Sequence, residues 1–125
     1  MAMKLLIVED EEILYKVLHE KFSRQDFKVE LAMDGEAAIS LAKSFRPDVI
    51  LLDIILPKKD GITVLRELKA DPDLSNIPVI ISSNLGDDEK IKTALGLGAV
   101  DYLIKAQHPI NEIVDIVKKY AESPK

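Results

Sequence analysis

Short apolar runs alternate along the chain with segments whose apolar residues recur every three or four positions. The five runs occupy residues 5–8, 27–32, 49–52, 77–81 and 100–104. Four of them are rich in valine, isoleucine and leucine with little polar alternation, which is typical of strands buried on both faces of a sheet. The second run alternates apolar and polar residues and therefore predicts an edge strand with one wetter face.

Between these runs the apolar positions shift to a period near 3.6, which predicts an amphipathic helix after each strand. Turn-forming residues separate the elements, among them Gly35, Pro57, Gly61 and Pro109. Strict alternation of strands and helices with short connections predicts an α/β fold. It would have a five-stranded parallel sheet, right-handed crossovers and helices on both faces.

The flavodoxin-like strand order 2-1-3-4-5 is a common solution for five such units, and it places the second strand at an edge, as its pattern requires. Ligands of these sheets bind at the carboxyl ends of the strands, near the point between strands 1 and 3 where the order reverses. A length of 125 residues without a visible linker favours one domain over residues 1–125.

Composition excludes several classes of protein. There is no cysteine, so disulfides and thiolate chemistry are absent. With 17 basic and 22 acidic residues the net charge is −5, and no basic cluster exceeds a pair, which argues against direct binding of nucleic acid. No apolar stretch is long enough to span a membrane. We therefore expect a cytoplasmic protein that does not bind membranes.

Acidic residues follow two strands that the predicted order makes neighbours. Strand 1 runs into Glu9 and Asp10, and strand 3 runs into Asp53. Three carboxylates at one sheet edge repel each other, and a hard divalent cation relieves the repulsion. Mg²⁺ prefers oxygen ligands and keeps several waters, so it is the cation we expect. Taken alone, Asp10 is equally well explained as a helix N-cap.

The other strand ends supply groups that complement these carboxylates. Strand 4 ends at Ser83 and strand 5 at Lys105. A hydroxyl, an ammonium and a metal ion are what an incoming phosphoryl group needs, and Asp53 would be its nucleophile. Each residue alone is ordinary, Ser83 as the start of a loop and Lys105 as a surface lysine. The agreement of all four strand ends favours phosphoryl chemistry.

Four segments carry a family resemblance over nearly the whole chain: LIVEDE at 6–11, PDVILLDIILPKKDG at 47–61, PVIISS at 78–83 and GAVDYLIK at 98–105. With them the sequence resembles the receiver domain of bacterial two-component response regulators, of the chemotaxis-regulator type. The resemblance implies that Asp53 is the phosphoacceptor. It also implies that Mg²⁺ is bound by Asp10, Asp53 and the backbone carbonyl of Ile55, with Glu9 acting through water.

The resemblance also assigns a switch and a set of partners. Ser83 stands at the switch hydroxyl position, Tyr102 at the switch aromatic position, and Lys105 at the position of the phosphate-contacting lysine. A half-buried strand aromatic is the simpler explanation of Tyr102, and it is compatible with the switch. The implied donor is a sensor histidine kinase or a histidine phosphotransfer protein. Apart from taking up and losing its own phosphoryl group, the domain is not expected to be an enzyme.

A protein-binding face is expected on helix 4, strand 5 and helix 5, serving a downstream target or a homodimer. Its candidate apolar residues are Leu97, Ile116 and Tyr120, which lie at the margins of their helical stripes beside Lys90 and Lys119. The alternative is that these three residues only widen the contact of their helices with the core.

The sequence departs from the family pattern at three positions. Glu9 stands where aspartate is commoner, Asn84 where a small alanine or glycine is usual, and Ala106 where proline usually follows the lysine. In the family the lysine–proline bond is commonly cis. A cis bond before a non-proline residue costs roughly 2.5–4 kcal/mol, so we expect a trans Lys105–Ala106 bond.

Three other functions fit the residues at the strand ends less well. A flavodoxin would place a flavin phosphate against the acidic end of strand 1, which would repel it. A haloacid-dehalogenase-type phosphatase would need an Asp-x-Asp motif after its first strand, where this chain has Glu9-Asp10-Glu11. A binding module of the same fold that works without phosphorylation remains the serious alternative.

Overall fold

The computed structural model describes residues 2–122 as an alternation of strands and helices. The strands are β1 (Met3–Val8), β2 (Phe27–Ala32), β3 (Val49–Leu52), β4 (Val79–Ser83) and β5 (Asp101–Ile104). The helices are α1 (Glu12–Ser23), α2 (Gly35–Phe45), α3 (Gly61–Ala70), α4 (Asp88–Gly96) and α5 (Ile110–Glu122), with a 3-10 turn at Lys105–Gln107 before α5. No helix in residues 2–122 is long and apolar enough to cross a membrane.

The strands form one parallel sheet in the order β2-β1-β3-β4-β5, which confirms the predicted flavodoxin-like topology. Val8, the last residue of β1, pairs with Leu52, the last residue of β3. Leu52 pairs in turn with Ile81, two residues before the end of β4. The central strands therefore end almost level, and the residues that follow them meet at one edge of the sheet.

Alternate residues of the central strands pack on opposite faces of the sheet, as the two-residue period of a strand requires. Leu6 and Ile50 belong to a cluster that includes buried residues of α2, α3 and α4. Leu5 and Leu51 belong to a second cluster that includes buried residues of α1 and α5. Each face of the sheet is thus covered by helices, and all four residues of β3 are buried.

Two of the predicted strands differ from those observed. β4 begins two residues after the start of the apolar run 77–81, because the peptide nitrogen of Pro78 cannot donate to a ladder, and it ends at the buried Ser83 as expected. The prediction that strand 5 is buried on both faces is wrong. β5 pairs only with β4, so Asp101, Tyr102 and Ile104 are partly exposed at the second edge of the sheet.

The first residue of α3 packs directly against the backbone that follows β3. A Cβ atom on Gly61 would lie 2.2 Å from the carbonyl oxygen of Asp53 and 2.6 Å from Cα of Ile54. The Gly61 amide donates to the Ile54 carbonyl at 2.8 Å, and Asp60 caps the helix by accepting from Thr63 N at 2.9 Å. Glycine at this position therefore lets α3 support the segment that carries Asp53.

Gly61→Ala is expected to lower the free energy of unfolding by about 2 kcal/mol, because the new methyl group must displace the Asp53 backbone. Gly96→Ala is the matched control. A Cβ there would meet no atom within 4 Å, and alanine in a helix should be neutral or stabilise by up to about 1 kcal/mol. Urea unfolding measures both variants, and equal effects would contradict the close approach.

Candidate functional site

Three carboxylates meet at the carboxyl edge of the sheet. Glu9 follows β1, Asp10 comes next, and Asp53 follows β3. One oxygen from each of the three lies within 4.8 Å of the others. Glu9 and Asp53 are buried, with 3% and 6% of their surface exposed, whereas Asp10 is exposed. Two carboxylates are thus taken out of water, and the third is exposed to it.

The ammonium group of Lys105 lies between the two buried carboxylates. It donates to Glu9 Oε2 at 2.7 Å and to Asp53 Oδ2 at 3.0 Å. The residue comes directly after β5 and is 96 positions away from Glu9 in the sequence. The parallel sheet therefore brings together a lysine and two acids that no local motif connects.

Backbone amides hold the remaining oxygens of the two buried carboxylates. Glu11 N donates to Glu9 Oε1 at 3.1 Å, and Ile55 N donates to Asp53 Oδ1 at 3.3 Å. Both oxygens of each buried acid are therefore hydrogen-bonded, which limits the cost of burying them. Asp10 is not the N-cap of α1. Glu11 occupies that position, and its side chain makes no capping hydrogen bond.

Burial and charge act in opposite directions on the ionised groups of this cluster. Burial raises the pKa of Glu9, and the hydrogen bond and charge of Lys105 offset only part of the rise. Burial acts to lower the pKa of Lys105. Its hydrogen bonds and charge interactions with Glu9 and Asp53 outweigh that effect, so the pKa of Lys105 is raised and the ammonium stays protonated.

A second hydrogen-bond network lies beside this cluster, around the loop after β4. The fully buried Ser83 accepts at Oγ from Leu85 N at 3.2 Å. The Tyr102 hydroxyl donates to the carbonyl oxygen of Leu85. Burial raises the pKa of the Tyr102 phenol, so it stays protonated and able to donate. Ser83 and Tyr102 are thus connected through the backbone of Leu85.

A cleft of about 210 Å³ opens above Asp53. Its walls combine acidic, cationic and neutral polar side chains with one exposed apolar side chain. The lining residues are Asp10, Glu11, Asp53, Ile55, Ser83, Asn84 and Lys105. Most residues that the sequence assigned to phosphoryl or metal chemistry therefore line this cleft. Glu9 and Tyr102 do not line it. Glu9 is bound by Lys105, and Tyr102 is bound to Leu85 in the loop between β4 and α4.

The chemistry of the donor set fits a hard divalent cation. Carboxylate oxygens are the ligands that Mg²⁺ prefers, and the exposed Asp10 leaves room for the waters that it retains. Asp10 and Asp53 line the cleft, whereas Glu9 does not. Asp10 and Asp53 would therefore hold the ion directly, and Glu9 would act at a distance.

The turn after β5 has the expected geometry. No cis peptide bond occurs in residues 2–122, so the Lys105–Ala106 bond is trans, as predicted. The chain passes through the 3-10 turn Lys105–Gln107 before α5, and Lys105 reaches both acids from it. A trans bond at this position is thus compatible with a lysine directed at Asp53.

Comparison with known proteins identifies the family. Residues 5–118 match the family model of the response regulator receiver domain. The chain belongs to the response regulator receiver domain family. The receiver domain therefore functions in two-component signal transduction, and its fold is that of a signalling phosphoacceptor.

Individual relatives agree with this assignment. The receiver domain is 42% identical to a probable transcriptional regulator, ycf27, of Guillardia theta over 106 residues, 85% of this chain and 41% of that protein. It is 36% identical to sporulation initiation phosphotransferase F of Bacillus subtilis over 117 residues, 94% of this chain and 92% of that protein. The chain thus spans less than half the length of the first relative and nearly all of the second.

A solved structure shows the same fold. It is the receiver domain of a sensor histidine kinase from Pseudomonas aeruginosa, with a magnesium ion coordinated in its active site cleft. It superposes with a TM-score of 0.87 at 28% identity, covering 98% of this chain and 100% of that one.

Sequence reasoning missed the part that the Leu85 backbone plays in the site. Its contribution is a backbone amide and a backbone carbonyl, and these groups have no side-chain signature. The only signal is its position two residues after Ser83, where a short loop must turn from β4 into α4.

Lys105→Met is expected to lower the free energy of unfolding by about 3–5 kcal/mol near pH 7.5, because it leaves buried carboxylates without their cation. In the wild-type protein Lys105 lowers the Glu9 pKa, although burial leaves that pKa raised overall. The Lys105→Met variant loses the lowering effect, so its Glu9 pKa rises further. Unfolded Glu9 keeps its ordinary pKa, so the folded variant binds the extra proton. The loss of stability should therefore shrink as the pH falls toward about 5.

Metal-free urea unfolding at the two pH values measures this dependence. Lys92→Met replaces an exposed lysine and serves as the control, with a small effect at both pH values. A loss in Lys105→Met that is the same at both pH values would contradict the charge argument.

Proposed function

We propose that residues 1–125 form a single receiver domain that accepts a phosphoryl group on Asp53 in the presence of Mg²⁺. The observation that carries the proposal is the Lys105 ammonium, which binds Asp53 and Glu9 and lines the same cleft as the exposed Asp10. An ammonium and a cation-binding carboxylate beside one buried aspartate neutralise the oxygens of an incoming phosphoryl group.

Asp53 is the nucleophile in this proposal. One of its carboxylate oxygens attacks phosphorus, the phosphorus–nitrogen bond of a phosphohistidine breaks, and the electron pair of that bond leaves with the imidazole. Lys105 contacts the transferred oxygens and screens their charge from Glu9. Asp10, Asp53 and the carbonyl of Ile55 would hold Mg²⁺, with Glu9 acting through water, and the ion would supply electrostatic stabilisation of the transferring group.

The proposed switch uses the network around Leu85. In this structure the Ser83 hydroxyl accepts from Leu85 N. A charged phosphoryl oxygen on Asp53 accepts a strong hydrogen bond from the Ser83 O–H. Turning the Ser83 hydroxyl toward that oxygen releases the Leu85 amide. The Leu85 carbonyl accepts from Tyr102, so a shift of the loop changes the position of the Tyr102 ring on β5. The signal then reaches α4 and β5.

The partners follow from this reaction. The donor is a sensor histidine kinase or a histidine phosphotransfer protein, and the output is a downstream protein or a homodimer bound through α4, β5 and α5. On that face Leu97, Ile116 and Tyr120 pack partly against the core. Leu95 and Val100, with 46% and 39% of their surface exposed, offer the larger apolar area. The proposal includes a cytoplasmic location. It does not include catalytic turnover of external substrates.

Incubation with acetyl phosphate and Mg²⁺ should add the mass of one phosphoryl group to the protein, and Asp53→Asn should abolish the addition. Asp60→Asn is the matched control, because an asparagine still caps α3 and leaves Asp53 untouched. Intact-mass spectrometry measures both variants. Addition to Asp53→Asn would contradict the assignment of the phosphoacceptor.

The same experiment distinguishes the alternative. A binding module that works without phosphorylation would gain no mass in the wild-type protein under any concentration of donor and metal.

A further inference from the structure

Two polar side chains that line the cleft above Asp53, those of Glu11 and Asn84, have no part in the proposed reaction, and of the two only Asn84 carries a hydrogen-bond donor. Asn84 lines the cleft and is exposed. Within residues 2–122, its carboxamide makes no hydrogen bond to protein. The two other hydrogen-bond donors among the lining side chains are already engaged or buried, since Lys105 binds two carboxylates and Ser83 is fully buried.

The backbone on both sides of Asn84 is fixed. Ser83 is the last residue of β4, and Leu85 is held through its amide by Ser83 and through its carbonyl by Tyr102. Before phosphorylation these contacts keep the Asn84 backbone beside the cleft. The side-chain torsions are free to turn the carboxamide toward a group on Asp53.

A phosphoryl group changes the balance of donors and acceptors in the cleft. It places three oxygens above Asp53, each an acceptor, among residues that are mostly acceptors already. The carboxamide of Asn84 carries two N–H donors and no charge, so it can bind such an oxygen without adding to the repulsion among the acids. Alanine or glycine, the residues usual at this position of the pattern, would offer no side-chain donor.

We propose that Asn84 is a phosphoryl-binding residue of this receiver domain, whose side-chain N–H donates to an oxygen of the group on Asp53. The proposal rests on the proposed function, because it needs that group to be on Asp53. Asn84 adds a side-chain donor to those supplied by Lys105 and Ser83. The cleft therefore binds the phosphoryl group more tightly than it would with alanine or glycine at this position.

Beryllofluoride with Mg²⁺ is the probe, since it binds an aspartate carboxylate as a stable mimic of the phosphoryl group, and NMR titration gives its affinity. Asn84→Ala removes the carboxamide, and Asn84→Leu keeps its approximate shape without a donor. Both should bind about tenfold more weakly than wild type, as the loss of a hydrogen bond to a charged group implies. Asn84→Asp, which adds a charge and removes the donor, should bind more weakly still.

A second readout reports the hydrogen bond itself. The chain has only three asparagines, Asn76, Asn84 and Asn111, so their carboxamide signals are readily assigned in nitrogen-15 spectra. Beryllofluoride should shift the Asn84 carboxamide protons downfield and slow their exchange with water. The signals of the other two residues, both exposed and outside the lining of the cleft, should not move.

The outcomes separate this inference from the proposed function. Wild-type protein that neither binds beryllofluoride nor takes up a phosphoryl group overturns both. Wild-type binding with unchanged affinity in Asn84→Leu shows that the residue is only a wall of the cleft and overturns the inference alone. Tighter binding of beryllofluoride by Asn84→Ala would show that the Asn84 side chain obstructs the phosphoryl group, and this result would also overturn the inference alone.

Discussion

An excess of negative charge at one edge of the sheet is the constraint on which the rest of the site depends. Glu9, Asp10 and Asp53 lie within 4.8 Å of one another, and a single ammonium, that of Lys105, lies among them. When all four groups are ionised, three negative charges and one positive charge leave an excess of two negative charges. Burial of Glu9 and Asp53 strengthens the repulsion, because their charges are poorly screened by solvent. The cleft is therefore prepared for a cation before any phosphoryl group arrives.

The fold brings these charged groups together, and its apolar packing offsets the unfavourable free energy of their repulsion. A parallel sheet brings the carboxyl ends of β1, β3, β4 and β5 to one edge, so residues separated by most of the chain become neighbours. The close packing of Gly61 against the Asp53 backbone supports the segment that carries Asp53. Two apolar clusters, one on each face of the sheet, supply stability that offsets the charge repulsion at this edge.

The sequence was informative wherever a side chain or an apolar period carried the signal. Buried runs predicted the strands and their order, and the acids, Ser83 and Lys105 at the strand ends predicted which residues would meet. Burial of strand 5 on both faces was predicted wrongly, because its apolar run was given more weight than its place at the end of the predicted strand order. The hydrogen bonds of Leu85 were not predictable, since backbone groups are the same in every residue. Leu97, Ile116 and Tyr120 could not be divided between core and surface, because marginal positions of a helical stripe depend on how the helix is rotated against the sheet.

The stability of Asp10→Asn with and without Mg²⁺ tests the central claim most directly. Asp10 is exposed and makes no hydrogen bond that asparagine would lose among the described residues. Without metal, its replacement should relieve repulsion and raise the free energy of unfolding by a few tenths to about 1 kcal/mol. With saturating Mg²⁺ the wild-type protein should gain stability by mass action, whereas the variant should gain far less. A metal-free variant less stable than wild type, or an equal gain from Mg²⁺ in both proteins, would contradict the account.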